Sequence, residues 1–217
     1  MDLYCLVKEE DKQEFLEDRK RHVEAYRDII FYDDIFIIAP QIIAVYDNLL
    51  HLDLFTVTEE TLIHKDFFQV IYDPGGRMEK YRDKQHLRLS EREFIDAVDD
   101  AAFFLLQYKK AADRGNDIWA VKVLNDLLIN LAQILLQRYC PERAQLGLKT
   151  IDRSLPEEIT DRIQHIYQKN TPDEHPEAIL FFTAVLSEQV NWIEENLPTL
   201  EYTFPLLKRM IQEFQKK

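Results

Sequence analysis

The chain has 217 residues, 46% of them hydrophobic, and carries 40 acidic against 27 basic side chains for a formal net charge of −13. That length and apolar content can bury a core, which excludes a disordered chain. The acidity repels phosphate backbones and anionic lipid, so nucleic acid and membrane surfaces are not expected partners.

Four glycines and eight prolines are too few for a turn-rich β-sandwich and point to long helices. The chain opens on "DLYCLV", an apolar run led by Asp2 that reads as an inner strand. The charged segment "EEDKQEFLEDRKRHVEAYRDI" follows. It sets Phe15, Leu16, Val23, Tyr26 and Ile30 on one side and is expected to lie as a helix against a sheet. Within it "DRKRH" (18–22) reads as a solvated basic cluster. Further strands are expected at "FIIAP", "QIIAVY", "LLHLDLFTV" and "FFQVIY", after which "DPGG" (Asp73–Gly76) forms a turn.

From Ser90 the periodicity is helical. "SERE" is a capping box in which the Ser90 side chain accepts from the Glu93 backbone. Phe94, Val98, Ala101, Leu105, Tyr108 and Ala112 recur at helical spacing until Gly115 and Asn116. A second helix over 117–139 is expected to bury Ile118, Val121, Leu124, Leu128, Leu131 and Leu135. A second capping box, "SLPE" at Ser154, is expected to open a third. Helices over 176–196 and from Thr199 onward, the last kinked at Pro205, complete a bundle of five. The fold class is thus α+β, a small mixed sheet over 1–87 followed by a helical bundle over 88–217.

Cys5 and Cys140 show no metal-type spacing, and no basic-then-apolar leader opens the chain, so the cytoplasm is the expected compartment. Runs such as "AILFFTAVL" fall short of the roughly 20 residues a membrane span needs. The histidines at 22, 51, 64, 86, 165 and 175 form no paired metal spacing and read as surface or packing residues. Trp119 and Trp192 read as core or interface residues.

The chemistry centres on "HLDLFTVT", where Asp53 interrupts an apolar strand although aspartate is a poor strand former and a lone buried carboxylate is costly. Alternation places His51, Asp53 and Phe55 on one face. Two readings stand: Asp53 sits in water at a strand end or on an open sheet face, or it is a metal carboxylate paired with one on a neighbouring strand, for which Asp2 is the candidate. On the first bundle helix Asp96, Asp100, Phe103, Gln107 and Lys110 fall along one stripe. This stripe is either a solvated face or a cleft wall.

With both strands in view the chain resembles the aminoglycoside and lincosamide nucleotidyltransferases of the polymerase-beta-like superfamily. In that family a Gly-Ser motif precedes a strand bearing Asp-x-Asp, and a later strand supplies a third carboxylate. "DLYCLV" resembles the first strand from its second aspartate onward, and "LHLDLFTV" the later one, so the resemblance makes Asp2 and Asp53 the metal ligands. "IYDPGGRMEKY" resembles the family's interdomain stretch. "LSEREFIDAVDDAAFFLLQYKKA" resembles the first helix of its second domain, which implies a general base at Asp100 and a nucleotide-phosphate contact at Lys110.

The resemblance implies magnesium, with ATP or another nucleoside triphosphate as co-substrate. It implies transfer of a nucleoside monophosphate to a hydroxyl of a small, cationic acceptor, as in antibiotic resistance. It also implies a chain truncated at its start, lacking the Gly-Ser and the first aspartate, and so impaired. A metal supplies several kcal/mol of transition-state stabilisation, and weakening it costs on the order of a thousandfold in rate. The alternative is a non-catalytic interaction protein, a homodimer or binding module that uses the same scaffold to cover an exposed sheet edge.

Overall fold

The computed structural model describes residues 1–62, 67–197 and 200–216. They fall into two compact units, Met1–His64 and Lys65–Lys217. The fold class is the expected α+β, a mixed sheet followed by helices.

The first unit holds strands β1 (Asp2–Leu6), β2 (Ile29–Phe36), β3 (Pro40–Tyr46) and β4 (His51–Val57), with helix α1 (Lys12–Glu24) between β1 and β2. The sheet order is β1-β4-β3-β2. β1 runs parallel to β4, while β2, β3 and β4 follow one another antiparallel. One face of the sheet carries Ile42, Ala44, Leu52 and Leu54, which close with Val23 of α1 into a small core. The sequence alternates because that face is dry and the other is not.

Several local expectations are corrected. "FIIAP" is not a strand of its own: β2 ends at Phe36, and residues 37–39 turn the chain into β3, leaving Phe36, Ile37 and Ile38 exposed. "FFQVIY" forms no strand. α1 stops at Glu24, so Tyr26 and Ile30 lie beyond it and are exposed. Arg19, read as part of a solvated cluster, is buried; it donates to Asp34 of β2 and to Thr56 of β4. Leu89 belongs to the helical core, and the Leu87 carbonyl accepts from the Gln145 backbone.

The second unit is built on α2 (Glu91–Ala112) and α3 (Asp117–Tyr139), followed by α4 (Ile151–Ser154), α5 (Glu157–Lys169), α6 (His175–Ser187), α7 (Val190–Asn196) and α8 (Thr203–Gln215). The Ser90–Glu93 capping box forms as the spacing predicts. The one expected at "SLPE" does not, because the Ser154 hydroxyl is paired with that of Thr150 and α5 starts after Pro156. The helix expected over 176–196 is two, broken at residues 188–189. Pro205 sits in the first turn of α8, where its missing N–H has no helical acceptor to lose, so no kink is needed. Thr199 and His64 lie outside the described residues.

α3 is long and apolar enough to cross a membrane by length and composition alone. Its Leu124, Leu127, Leu131 and Leu135 are instead fully buried in the bundle. Ile118 and Trp119, at its first turn, are exposed rather than core, and Lys122 lies over the Trp119 ring. His175 is buried between helices: its Nδ1 lies 2.6 Å from the Tyr108 hydroxyl and its Nε2 3.3 Å from Asp117, tying the starts of α6 and α3 to α2. Burial pushes the Tyr108 phenol well above its usual range, with the Asp117 charge adding to it.

Leu105 and Phe103 test this division of α2 into a core side and a solvent side. Leu105→Ala, at a fully buried site, is expected to cost about 2–5 kcal/mol of stability. Phe103→Ala, two residues away at a site 48% exposed, is expected to stay within about 0.5 kcal/mol. Denaturant unfolding of both variants measures the difference.

Candidate active site on an acidic sheet face

The register of β1 on β4 decides where the candidate carboxylates stand. Asp2 pairs with Asp53, Leu3 with Leu54 and Tyr4 with Phe55. Partners across a ladder share a face, so Asp2 and Asp53 sit side by side on neighbouring strands about 4.8 Å apart. They lie on the face opposite α1. Tyr4 and Phe55 stack on the same face one step along, at 4.6 Å between centroids. β3 sets Ile43 beside Asp53, and β2 sets Asp33 beside Ile43, so a row Asp2–Asp53–Ile43–Asp33 crosses the sheet.

Asp53 is the better sheltered of the pair, with 16% of its side chain exposed, whereas Asp2 is exposed. Each oxygen of Asp53 has its own partner. Gln41 Nε2 donates to Oδ1 at 2.7 Å, and His51 Nε2 lies 3.2 Å from Oδ2. His51 is two residues away on the same strand and therefore on the same face. The buried-carboxylate problem posed by the sequence is thus solved locally, by an amide and an imidazole.

Sequence reasoning missed Gln41, His51 as a partner of Asp53, and Asp33. The alternation of "HLDLF" placed His51 with Asp53, but nothing in sequence puts Gln41 on the adjoining strand at the right register. Asp33 follows from the pleat of "IIFYDDIF" once that segment is known to be a strand. It stands two strands from Asp53, about 9.6 Å at sheet spacing, too far to share one ion.

No group of three or more His, Cys, Asp or Glu able to hold a metal occurs among the described residues. Asp2 and Asp53 together nevertheless fit one role. Magnesium is commonly held by one or two carboxylates plus the phosphates of a nucleotide, keeping several waters. The face can supply the two carboxylates, and the rest of the shell would come from the ligand.

Asp100 and Lys110 belong to α2. Both are exposed, and ten residues separate them by about 15 Å along the helix axis. The stripe Asp96, Asp100, Phe103 and Lys110 is exposed, with Gln107 half-buried. Partial desolvation, followed by the neighbouring charges of Asp96 and Asp99, pushes the Asp100 carboxyl above the usual carboxylate range. Such a group is a better proton acceptor than an ordinary aspartate. The Cys5 thiol is also pushed up, by burial alone, which makes it unreactive rather than nucleophilic.

No family profile matches the chain, and no curated relative does either. Among solved structures, an aminoglycoside 6-adenyltransferase from Bacillus subtilis is similar, with a TM-score of 0.45 and 15% identity, covering 100% of this chain and 88% of that one. A likeness of that degree bears on neither activity nor substrate.

The upward shift of Asp100 gives a pH test. Its folded value lies above its unfolded one, so the helix is relieved of this charge at low pH, and the relief is lost as pH rises through the folded value. Carboxyl-carbon NMR is expected to show Asp100 titrating later than a free aspartate, and Asp96→Asn with Asp99→Asn to move it earlier. Titration at the ordinary position in the unaltered chain contradicts the assignment.

Proposed function

We propose that the protein is a nucleotidyltransferase-type protein that binds a nucleoside triphosphate with magnesium at the Asp2–Asp53 face. Its reaction class is transfer of a nucleoside monophosphate to a hydroxyl of a small, cationic acceptor of the aminoglycoside or lincosamide kind. The observation that carries this reading is the in-register pairing of Asp2 with Asp53 on parallel neighbouring strands. Two distant segments singled out by the resemblance to this family are thereby brought onto one face.

In the reaction the acceptor oxygen forms a bond to the α-phosphorus, the bond to the leaving pyrophosphate breaks, and the hydroxyl proton passes to a base. The resemblance implies a base at Asp100, whose raised proton affinity suits proton acceptance, and a phosphate contact at Lys110, both on α2 of the second unit. A bound magnesium would neutralise phosphate charge. Asp2 and Asp53 would hold it, and the stacked Tyr4 and Phe55 form an apolar flank beside them. The net charge of −13 favours a cationic acceptor. With two carboxylates and one of them engaged by His51 and Gln41, transfer is expected to be feeble.

A second reading rests on a separate observation. The β2–β3 turn exposes Phe36 (73%), Ile37 (64%) and Ile38 (52%) in succession, an apolar tip suited to another protein surface. On this reading the scaffold is an interaction module or homodimer.

Calorimetric titration with ATP, with and without magnesium, separates the two. Nucleotidyltransferase-type binding requires heat that depends on magnesium and disappears in Asp53→Ala. Equal heat in Asp53→Ala, or none in either condition, sinks the first reading. The second then stands only if light scattering shows self-association that Ile37→Asp reduces.

A further inference from the structure

We propose that Gln41 is the positioning residue of the acidic face: its side-chain amide holds Asp53 Oδ1 and so leaves Oδ2 as the oxygen that receives a magnesium-bound nucleotide. The inference rests on the nucleotide-binding reading above and assigns the division of labour within that site.

Gln41 stands in β3, next to β4, and is 4% exposed. It pairs in register with Phe55 and reaches diagonally to Asp53, donating Nε2–H to Oδ1 at 2.7 Å. The other end of the same amide, Oε1, is buried and has no hydrogen-bond partner among the described residues. A buried amide normally satisfies both ends. Turning this one over would set its oxygen against a carboxylate oxygen, so the orientation is fixed by Asp53, and an acceptor goes unused to maintain it.

The partner on Oδ2 has the opposite character. The His51 side chain is 50% exposed and approaches at 3.2 Å from its own strand. An exposed ring can rotate away, whereas a buried amide in a central strand cannot do so without unpacking its neighbours. Of the two contacts, the one to Oδ2 is therefore the displaceable one, and Oδ2 becomes available to a ligand held with Asp2 on the adjacent strand once the ring moves away. Oδ1 stays with Gln41, which sets the rotamer of the carboxylate.

The test is Gln41→Leu, with Gln41→Met as the second variant should the first fail to fold. Both remove the donor and the unused acceptor together while keeping the volume. The thermal midpoint is expected to be unchanged or modestly lower, because the gain from losing a buried orphan oxygen is opposed by the loss of the donor to Asp53 Oδ1. The magnesium concentration that half-saturates ATP binding is expected to rise about tenfold, as for loss of a group that orients a metal ligand. Binding of ATP without magnesium stays as it was. His51→Ala, which removes the displaceable partner, is expected to leave the magnesium requirement unchanged or lower it.

A wild-type magnesium requirement in Gln41→Leu, or a lower midpoint as its only effect, overturns the inference. So does a requirement raised as much by His51→Ala as by Gln41→Leu. These results differ from failure of the nucleotide reading itself, in which the unaltered chain shows no magnesium-dependent binding and both proposals fall.

Discussion

The parallel pairing of β1 with β4 is the constraint on which the candidate site depends. These strands are joined by ladder hydrogen bonds and are separated in sequence by α1, β2 and β3. A slip of one residue would turn Asp2 to the α1 side and put Leu3 beside Asp53. The register is held by the dry side of the sheet, where Leu3 and Cys5 pack with Leu52, Leu54 and Val23. Apolar packing on one face thus fixes the carboxylates on the other.

The same economy explains how Asp53 is tolerated in an apolar strand. A carboxylate 16% exposed in a sheet needs donors, and neighbouring backbone groups are committed to the ladder. Gln41 supplies one from the adjoining strand β3 and His51 the other from two residues along the same strand. On the opposite side Arg19 solves the mirror problem, a buried guanidinium answered by Asp34 and Thr56. The small sheet unit therefore carries a polar contact system on each side of a modest apolar core.

Much of this was legible in sequence. Alternation gave the faces of β4, and the Ser90 capping box fixed the start of α2 because both of its partners are local. What failed was non-local or competed for. Ser154 had the right spacing to cap a helix, yet its hydroxyl went to Thr150. "FFQVIY" had strand composition, but strand formation needs a partner edge that neighbouring residues cannot supply. Arg19 looked solvated because its partners lie on strands 15 and 37 residues away. Gln41 was invisible for the same reason: its role exists only once β3 and β4 are in register.

The central claim is that a magnesium nucleotide meets the sheet on the Asp2–Asp53 face rather than in the apolar cavity of about 670 Å³ between α1 and the opposite face, lined by Leu3, Cys5, Phe15, Leu52 and Leu54 among others. Manganese in place of magnesium, with ATP, broadens NMR signals according to distance from the ion. The account predicts that the Tyr4, Ile43 and Phe55 side-chain signals broaden more strongly than those of Phe15 and Val23, which line the cavity from α1. Broadening centred on Phe15 and Val23, or none that requires ATP, would contradict it.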